Sequence, residues 1–317
     1  MNPIKNRAGL GLINFLVMSV FLGHTLYAQE GEHYPKFSLR LSGQAEMVAL
    51  GDINTALRSF NRNPAFEYIR HNNPSWGAVE GNIDSLGTFF PGWEVELRMD
   101  LSRRIGLGVS AAGGLRAENE SALTLLNILD VTWTYEYAYK PTVWIRPQVR
   151  LSLYYFPWRR GRVSSFIGAG IGYYRGGLSE QRNFMTINGY SGDVSWVKRY
   201  WETETRSTLG FHLGGGLEWH LSRPVSLIAE IQYRYARIGP LKGLEQTETG
   251  EPSFREMRGY LYFFTREDLY AFGQRHADLE VWDVPPDYSV DFIMDIRKAR
   301  LDLSGVSLKL GIKIGLF

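Results

Sequence analysis

VSLKLGIKIGLF (306–317) ends the chain on a two-residue alternation, with Val306, Leu308, Leu310, Ile312, Ile314 and Leu316 on one face and Ser307, Lys309, Gly311, Lys313 and Gly315 on the other. A helix would scatter these residues around its circumference, because its side chains repeat every 3.6 residues; a strand gathers every second residue on one side. The stretch therefore reads as a strand with one apolar and one polar face. It runs to Phe317 without a tail, although a terminus frays unless something ties it down. A neighbouring strand is the expected anchor.

Seven earlier runs repeat the pattern. Phe37, Leu39, Leu41, Gly43, Ala45 and Met47 oppose Ser38, Arg40, Ser42, Gln44 and Glu46, and Trp93, Val95, Leu97, Met99 and Leu101 oppose Glu94, Glu96, Arg98 and Asp100. A third run holds Ile105, Leu107, Val109, Ala111 and Leu115; a fourth extends from Val143 and Ile145 through Val149, Leu151 and Leu153 to Tyr155, opposite Arg146, Gln148, Arg150 and Ser152. The fifth sets Val163, Ile167, Ala169, Ile171 and Tyr173 against Gly168, Gly170 and Gly172, and the sixth sets Leu209, Phe211, Leu213, Leu217 and Trp219 against His212, Glu218 and His220. In the seventh, Val225, Leu227, Ala229, Ile231, Tyr233 and Tyr235 face away from Glu230, Gln232 and Arg234.

Each run spans about 10 to 15 residues, longer than most soluble strands and long enough to cross a bilayer at a tilt. Tight turns fall near 102–104, 157–162 and 222–224, and long connections span 51–88, 118–141, 176–206 and 239–299. Short turns at one end and long loops at the other describe a closed antiparallel up-and-down transmembrane β-barrel of eight strands, all-β, with its turns in the periplasm. The 14% aromatic content and 34 glycines suit sheets better than helices. Phe37, Tyr155 and Trp219 at the turn end, and Trp93, Tyr173, Tyr233 and Tyr235 at the loop end, are expected to form two interfacial girdles.

Residues 1–28 read as a Sec-type export signal: Lys5 and Arg7 precede an apolar run from Ala8 to Leu22, and cleavage is expected after Ala28, leaving 29–317 as the barrel domain. Its removal takes away two cations and no acid, so 33 basic side chains remain against 33 acidic ones. That balance gives no electrostatic case for nucleic acid. The absence of cysteine excludes disulfides, thiolate metal sites and a catalytic thiol.

With VRLSLYYFPW (149–158), FIGAGIGYYRGG (166–177) and a terminal strand ending in Phe317, the chain over 29–317 resembles the small eight-stranded outer-membrane barrels of the OmpA/OmpX and OmpW-like groups. The resemblance implies a location in the cell outer membrane, amid outer-membrane lipid and lipopolysaccharide. It also implies that Phe317 is an assembly signal for the barrel-assembly machinery, although Phe317 has the opposite parity to Leu316 and Ile314 and needs a bulge or a turned final residue to join the apolar face. The implied role is a non-enzymatic structural or surface-interaction barrel, or a narrow, porin-like route for small hydrophobic molecules, with no cofactor.

Charges cannot face lipid, so Arg40, Glu46, Glu94, Glu96, Arg98, Asp100, Arg116, Arg150, Glu218, Glu230, Arg234, Lys309 and Lys313 are expected in the lumen, neutralising one another. His212 and His220 share a face but stand about 27 Å apart along a strand, too far for one metal or a catalytic pair. His33, His71 and His276 show no ligand spacing, so neither a metal nor a catalytic residue is expected. Two other readings remain open: a lipid-modifying enzyme, which needs a tight His, Ser and carboxylate cluster at the rim, and a secreted lipocalin-like barrel, which needs its apolar face inward.

In the first long connection (51–74), Asp52 is placed as the N-cap of a helix carrying Ile53, Ala56, Leu57 and Phe60. The longest connection contains YLYFFTREDLY (260–270) and VWDVPPDYSV (281–290), apolar enough to be ordered.

Overall fold

The computed structural model describes residues 34–61, 77–127, 133–189, 191–250, 253–268, 274–286 and 293–316. The export signal, Phe317, His33 and His71 lie outside them. The elements are β1 (Lys36–Val48), α1 (Asp52–Asn61), β2 (Gly77–Gly81), β3 (Phe89–Asp100), β4 (Ile105–Ala112), β5 (Leu115–Glu118), β6 (Ser121–Asn127), β7 (Trp133–Ile145), β8 (Gln148–Arg160), β9 (Val163–Asn188), β10 (Val194–Thr203), β11 (Arg206–His220), β12 (Val225–Tyr235), β13 (Arg237–Ile238), β14 (Lys242–Thr249), β15 (Phe254–Asp268), β16 (Gln274–Trp282), β17 (Ile293–Lys298), β18 (Leu301–Asp302) and β19 (Gly305–Gly315).

Eight of these strands close a ring: β1, β3, β4, β8, β9, β11, β12 and β19, each antiparallel to the next. The final strand is sewn on both edges, Val225↔Ile314 against β12 and Ser38↔Gly315 against β1. That second seam anchors the end of the chain. Closure leaves no backbone edge, the condition for crossing a bilayer with strands, since unpaired N–H and C=O groups in hydrocarbon are costly. The 13 residues of β1, rising about 3.4 Å each and tilted by about 40°, cover roughly 34 Å, a membrane thickness.

The outer face is apolar: Leu209, Phe211 and Leu213 are 68, 66 and 57% exposed, while Arg40, Arg98 and Lys309 are 1% exposed inside. A lipocalin would show the reverse, and that alternative is set aside.

The long connections are mostly not loops. β9 runs for 26 residues, its first half in the ring and its second between β7 and β10, as in Ile145↔Gly176 and Glu202↔Ser179. From β10 the sheet continues through β14, β15 and β16, and β2 and β6 extend it beyond β7. The wall of the barrel thus rises above the membrane as an outer β-domain.

The third and fourth runs need correction. Leu115 belongs to β5, and Val143 and Ile145 to β7; all three are buried rather than lipid-facing. The ladder Ala112↔Gln148 between β4 and β8 stops, and Leu115↔Ile145 between β5 and β7 begins above it. Gly113-Gly114 and Arg146-Pro147 interrupt both strands at one level, and Pro147 has no N–H to donate. Across the break the apolar residues exchange faces.

They then point into one core above the ring, which gathers Val48, Ile83, Phe90, Leu115, Val143, Tyr174, Leu178, Trp201, Leu261, Leu279, Leu301 and Leu303. Helix α1 lies within it through Ile53, Ala56 and Leu57, with Phe60 partly buried, an i, i+3, i+4, i+7 stripe. Asp52 is not its cap. Its carboxylate accepts both guanidinium N–H groups of Arg297, at 2.6 Å each, and the Arg300 backbone N–H at 2.9 Å. The carbonyl of Gly51, at φ +61°, instead accepts the Thr55 N–H at 3.2 Å; its left-handed backbone conformation suits glycine.

Candidate functional site

Because each ring strand turns one parity inward, the lumen receives charges from six of its eight walls, and register decides which meet. At mid-height, Glu94 of β3 accepts from Arg150 of β8 at 2.5 Å and lies 2.8 Å from Lys309 of β19. Lys309 reaches Glu230 at 3.5 Å; Glu230 holds Arg40 at 2.5 Å, and Arg40 stands 3.8 Å from Glu96, which also accepts the Tyr154 hydroxyl at 2.7 Å. Toward the turns, Glu218 pairs with Arg98 at 2.5 Å and with Lys313, while Asp100 takes Arg98 at 3.1 Å and Arg159 at 2.9 Å. Toward the outer end, Arg234 pairs with Glu46 at 3.0 Å and donates to the Leu303 carbonyl at 2.8 Å.

Among the residues expected inside, Arg40, Arg98, Arg150, Arg234, Lys309 and Lys313 stand against Glu46, Glu94, Glu96, Asp100, Glu218 and Glu230, six against six. An unpaired buried charge would cost several kcal/mol, so the balance is what permits their burial. Arg116 is a correction: beyond the break it turns outward, its side chain 70% exposed and 2.6 Å from Glu118.

Trp93, Tyr155, Tyr173, Trp219, Tyr233 and Tyr235 are 43–57% exposed on the outer face, Tyr155 and Trp219 beside the turns and the others toward the outer domain. Phe37 departs from this belt. It is 5% exposed and lines a cleft of about 610 Å³ at the turn end, because the alternation fails at the start of β1, where Phe37 and Ser38 are both buried.

Two histidine contacts were not visible in the sequence. His212 Nε2 lies 2.9 Å from Ser152 Oγ, two strands away, across Gly170, where an added Cβ would stand 2.8 Å from the imidazole and 2.0 Å from the Leu151 carbonyl oxygen. His220 is held between Ser164 Oγ at 2.6 Å and Ser226 Oγ at 2.8 Å. Registered strands create both contacts, so no spacing along the chain announces them. Among the described residues neither imidazole is hydrogen-bonded to a carboxylate, and no group of His, Asp or Glu could hold a metal ion.

A second polar cluster lies in the outer domain. Arg199 bonds Glu245 at 2.7 and 2.9 Å and Glu280 at 2.9 Å; Arg182 bonds Glu180, and Asp278 at 2.6 Å. Burial works against the charge on Asp278, but Arg182 and Arg199 outweigh it and hold the carboxyl below its ordinary value. For Glu180 burial wins and pushes the carboxyl up.

The closed ring, its apolar outside and its ion-paired interior define a transmembrane β-barrel, here with an ordered β-domain above one rim. Solved structures to which the chain is similar include the outer membrane protein OprG from Pseudomonas aeruginosa (10% identity, TM-score 0.36, covering 90% of this chain and 98% of that one). Others are Ail, the attachment invasion locus protein of Yersinia pestis (10%, 0.31, 89% and 100%), and the outer membrane protease OmpT from Escherichia coli (7%, 0.32, 91% and 99%). No protein-family model and no curated protein matches the chain.

Proposed function

We propose that the protein is a non-conducting, non-enzymatic membrane anchor that holds its outer β-domain at the cell surface as an interaction platform. In this reading it is exported through the Sec route with loss of residues 1–28, and Phe317 serves its insertion by the barrel-assembly machinery. The observation that carries the reading is a double closure. Arg40, Arg98, Arg150 and Lys309 are at most 2% exposed across the lumen, and the apolar core containing α1 covers the outer mouth. A passage for a small hydrophobic molecule would have to break paired charges first and apolar packing second.

Planar-bilayer recording on refolded protein, after heat-modifiable migration on a detergent gel has shown that the barrel is formed, tests this. The expected result is insertion without discrete conductance steps. Stable, discrete channels would overturn the anchor reading and make transport the function.

A further inference from the structure

A cleft of about 550 Å³ opens on the outside of the wall, lined by Tyr235, Arg237, Gly239, Pro240, Arg297, Lys298 and Arg300. It holds four cations and no carboxylate in its lining. Its position is set by the ring: Tyr233 and Tyr235 face lipid at the outer end of β12, and Arg237, two residues on, has the same parity. Gly239-Pro240 and the Arg300 corner, just before the Arg237↔Asp302 pairing of β13 with β18, complete the cleft above β12 and β19. The cations thus begin where the apolar belt ends, at headgroup height.

Two of them have structural work: Arg297 clamps Asp52 and Arg237 meets Asp302 at 3.3 Å. Lys298 lies 3.6 Å from the Tyr260 ring centre, and Lys242 lies 4.9 Å from the same centre. Among the described residues neither ammonium forms an ion pair, so the charge of Lys298 in the cleft lining is left for an anion to meet. Arg300 is exposed, and its backbone, not its guanidinium, serves Asp52.

We infer that this cleft binds the phosphorylated headgroup of an outer-leaflet glycolipid, whose acyl chains lie along the apolar face of β12 and β19. The match is one of shape to chemistry: a lipid with an anionic head needs cations directly above a hydrocarbon-facing wall, and the cleft supplies that order. A soluble anion would gain nothing from the belt below.

The test uses the refolded full chain in neutral phosphatidylcholine nanodiscs doped with lipid A or with enzymatically dephosphorylated lipid A, with bound lipid counted by native mass spectrometry. Each cation near an anionic lipid surface contributes about fivefold, so the double substitution Lys298→Gln and Arg300→Gln is expected to lower retention of phosphorylated lipid A by roughly 25-fold. Retention of the dephosphorylated form should not change. Arg255→Gln, an exposed cation elsewhere on the outer domain, should leave both unchanged, and heat-modifiable migration must persist in every variant compared. Equal retention of the two lipids by the unaltered protein would overturn the inference. So would displacement of the preference by millimolar inorganic phosphate alone, which would assign the cleft to a free anion.

Discussion

The ring and the outer domain use one alternation against two solvents. In the ring the apolar residues point out and the charges pair inside; above the Gly113-Gly114 and Arg146-Pro147 breaks the apolar residues turn in, and charges such as Arg116 turn out. The difference teaches that alternation specifies a two-faced strand without specifying which face the core takes. In hydrocarbon the costly event is exposing a charge, whereas in water it is leaving apolar surface wet.

The contrast predicts unequal responses to mutation. The largest effect belongs to the ring. Glu218→Ala removes the acceptor shared by Arg98 and Lys313 and leaves two cations with Asp100 as the nearest remaining acid. Breaking a buried pair from one side typically costs about 3–5 kcal/mol. The urea midpoint of heat-modifiable migration should fall accordingly, and an unshifted midpoint would show that the lumen charges do not hold the ring.

Next comes the outer core. Leu57→Ala in α1 opens a cavity where the side chain is 2% exposed, at a cost of about 2–4 kcal/mol. Limited proteolysis should then cut the outer domain while the ring keeps its heat-modifiable migration. Simultaneous loss of both would mean that the two regions unfold as one.

The smallest effect is electrostatic and confined to the outer domain. Asp278, held below its ordinary value of 3.8, stabilises the fold above that value and loses its contribution as pH falls through the lower, folded-state value. Asp278→Asn should therefore flatten the acid limb of the outer domain's stability below about pH 4. Glu180, pushed up by burial, acts in the opposite sense and should blunt the limb in the unaltered protein. A limb that steepens in the variant would contradict the assignment.

The sequence made the ring legible because eight runs of period two survive in it unbroken or nearly so. It hid the breaks because Val143, Ile145, Val149 and Leu151 keep the same parity straight through Pro147, and the face exchange occurs in space. The outer strands were hidden for another reason: the eight residues of β14 are almost all half-buried, so neither face is marked by hydropathy. In the lumen, parity identifies which residues share the interior, but the partners of Arg40 or Lys309 follow from registers between strands far apart in the chain. His212 and Ser152 meet only because Gly170 stands between them without a side chain. Asp52 sits at the start of the helix, but its carboxylate is taken by two arginines from beyond β16, which no local signal announces.

The seam between β1 and β19 has a consequence for assembly. It joins the earliest and latest described strands of the ring, and contacts of such sequence separation are slow to form because the whole intervening chain must first be gathered. Until that seam shuts, every intermediate carries two open edges able to pair with another chain. The order of synthesis therefore makes the most dangerous surface the last to be covered, and a cell that builds this protein must shelter those edges until the first strand meets the last.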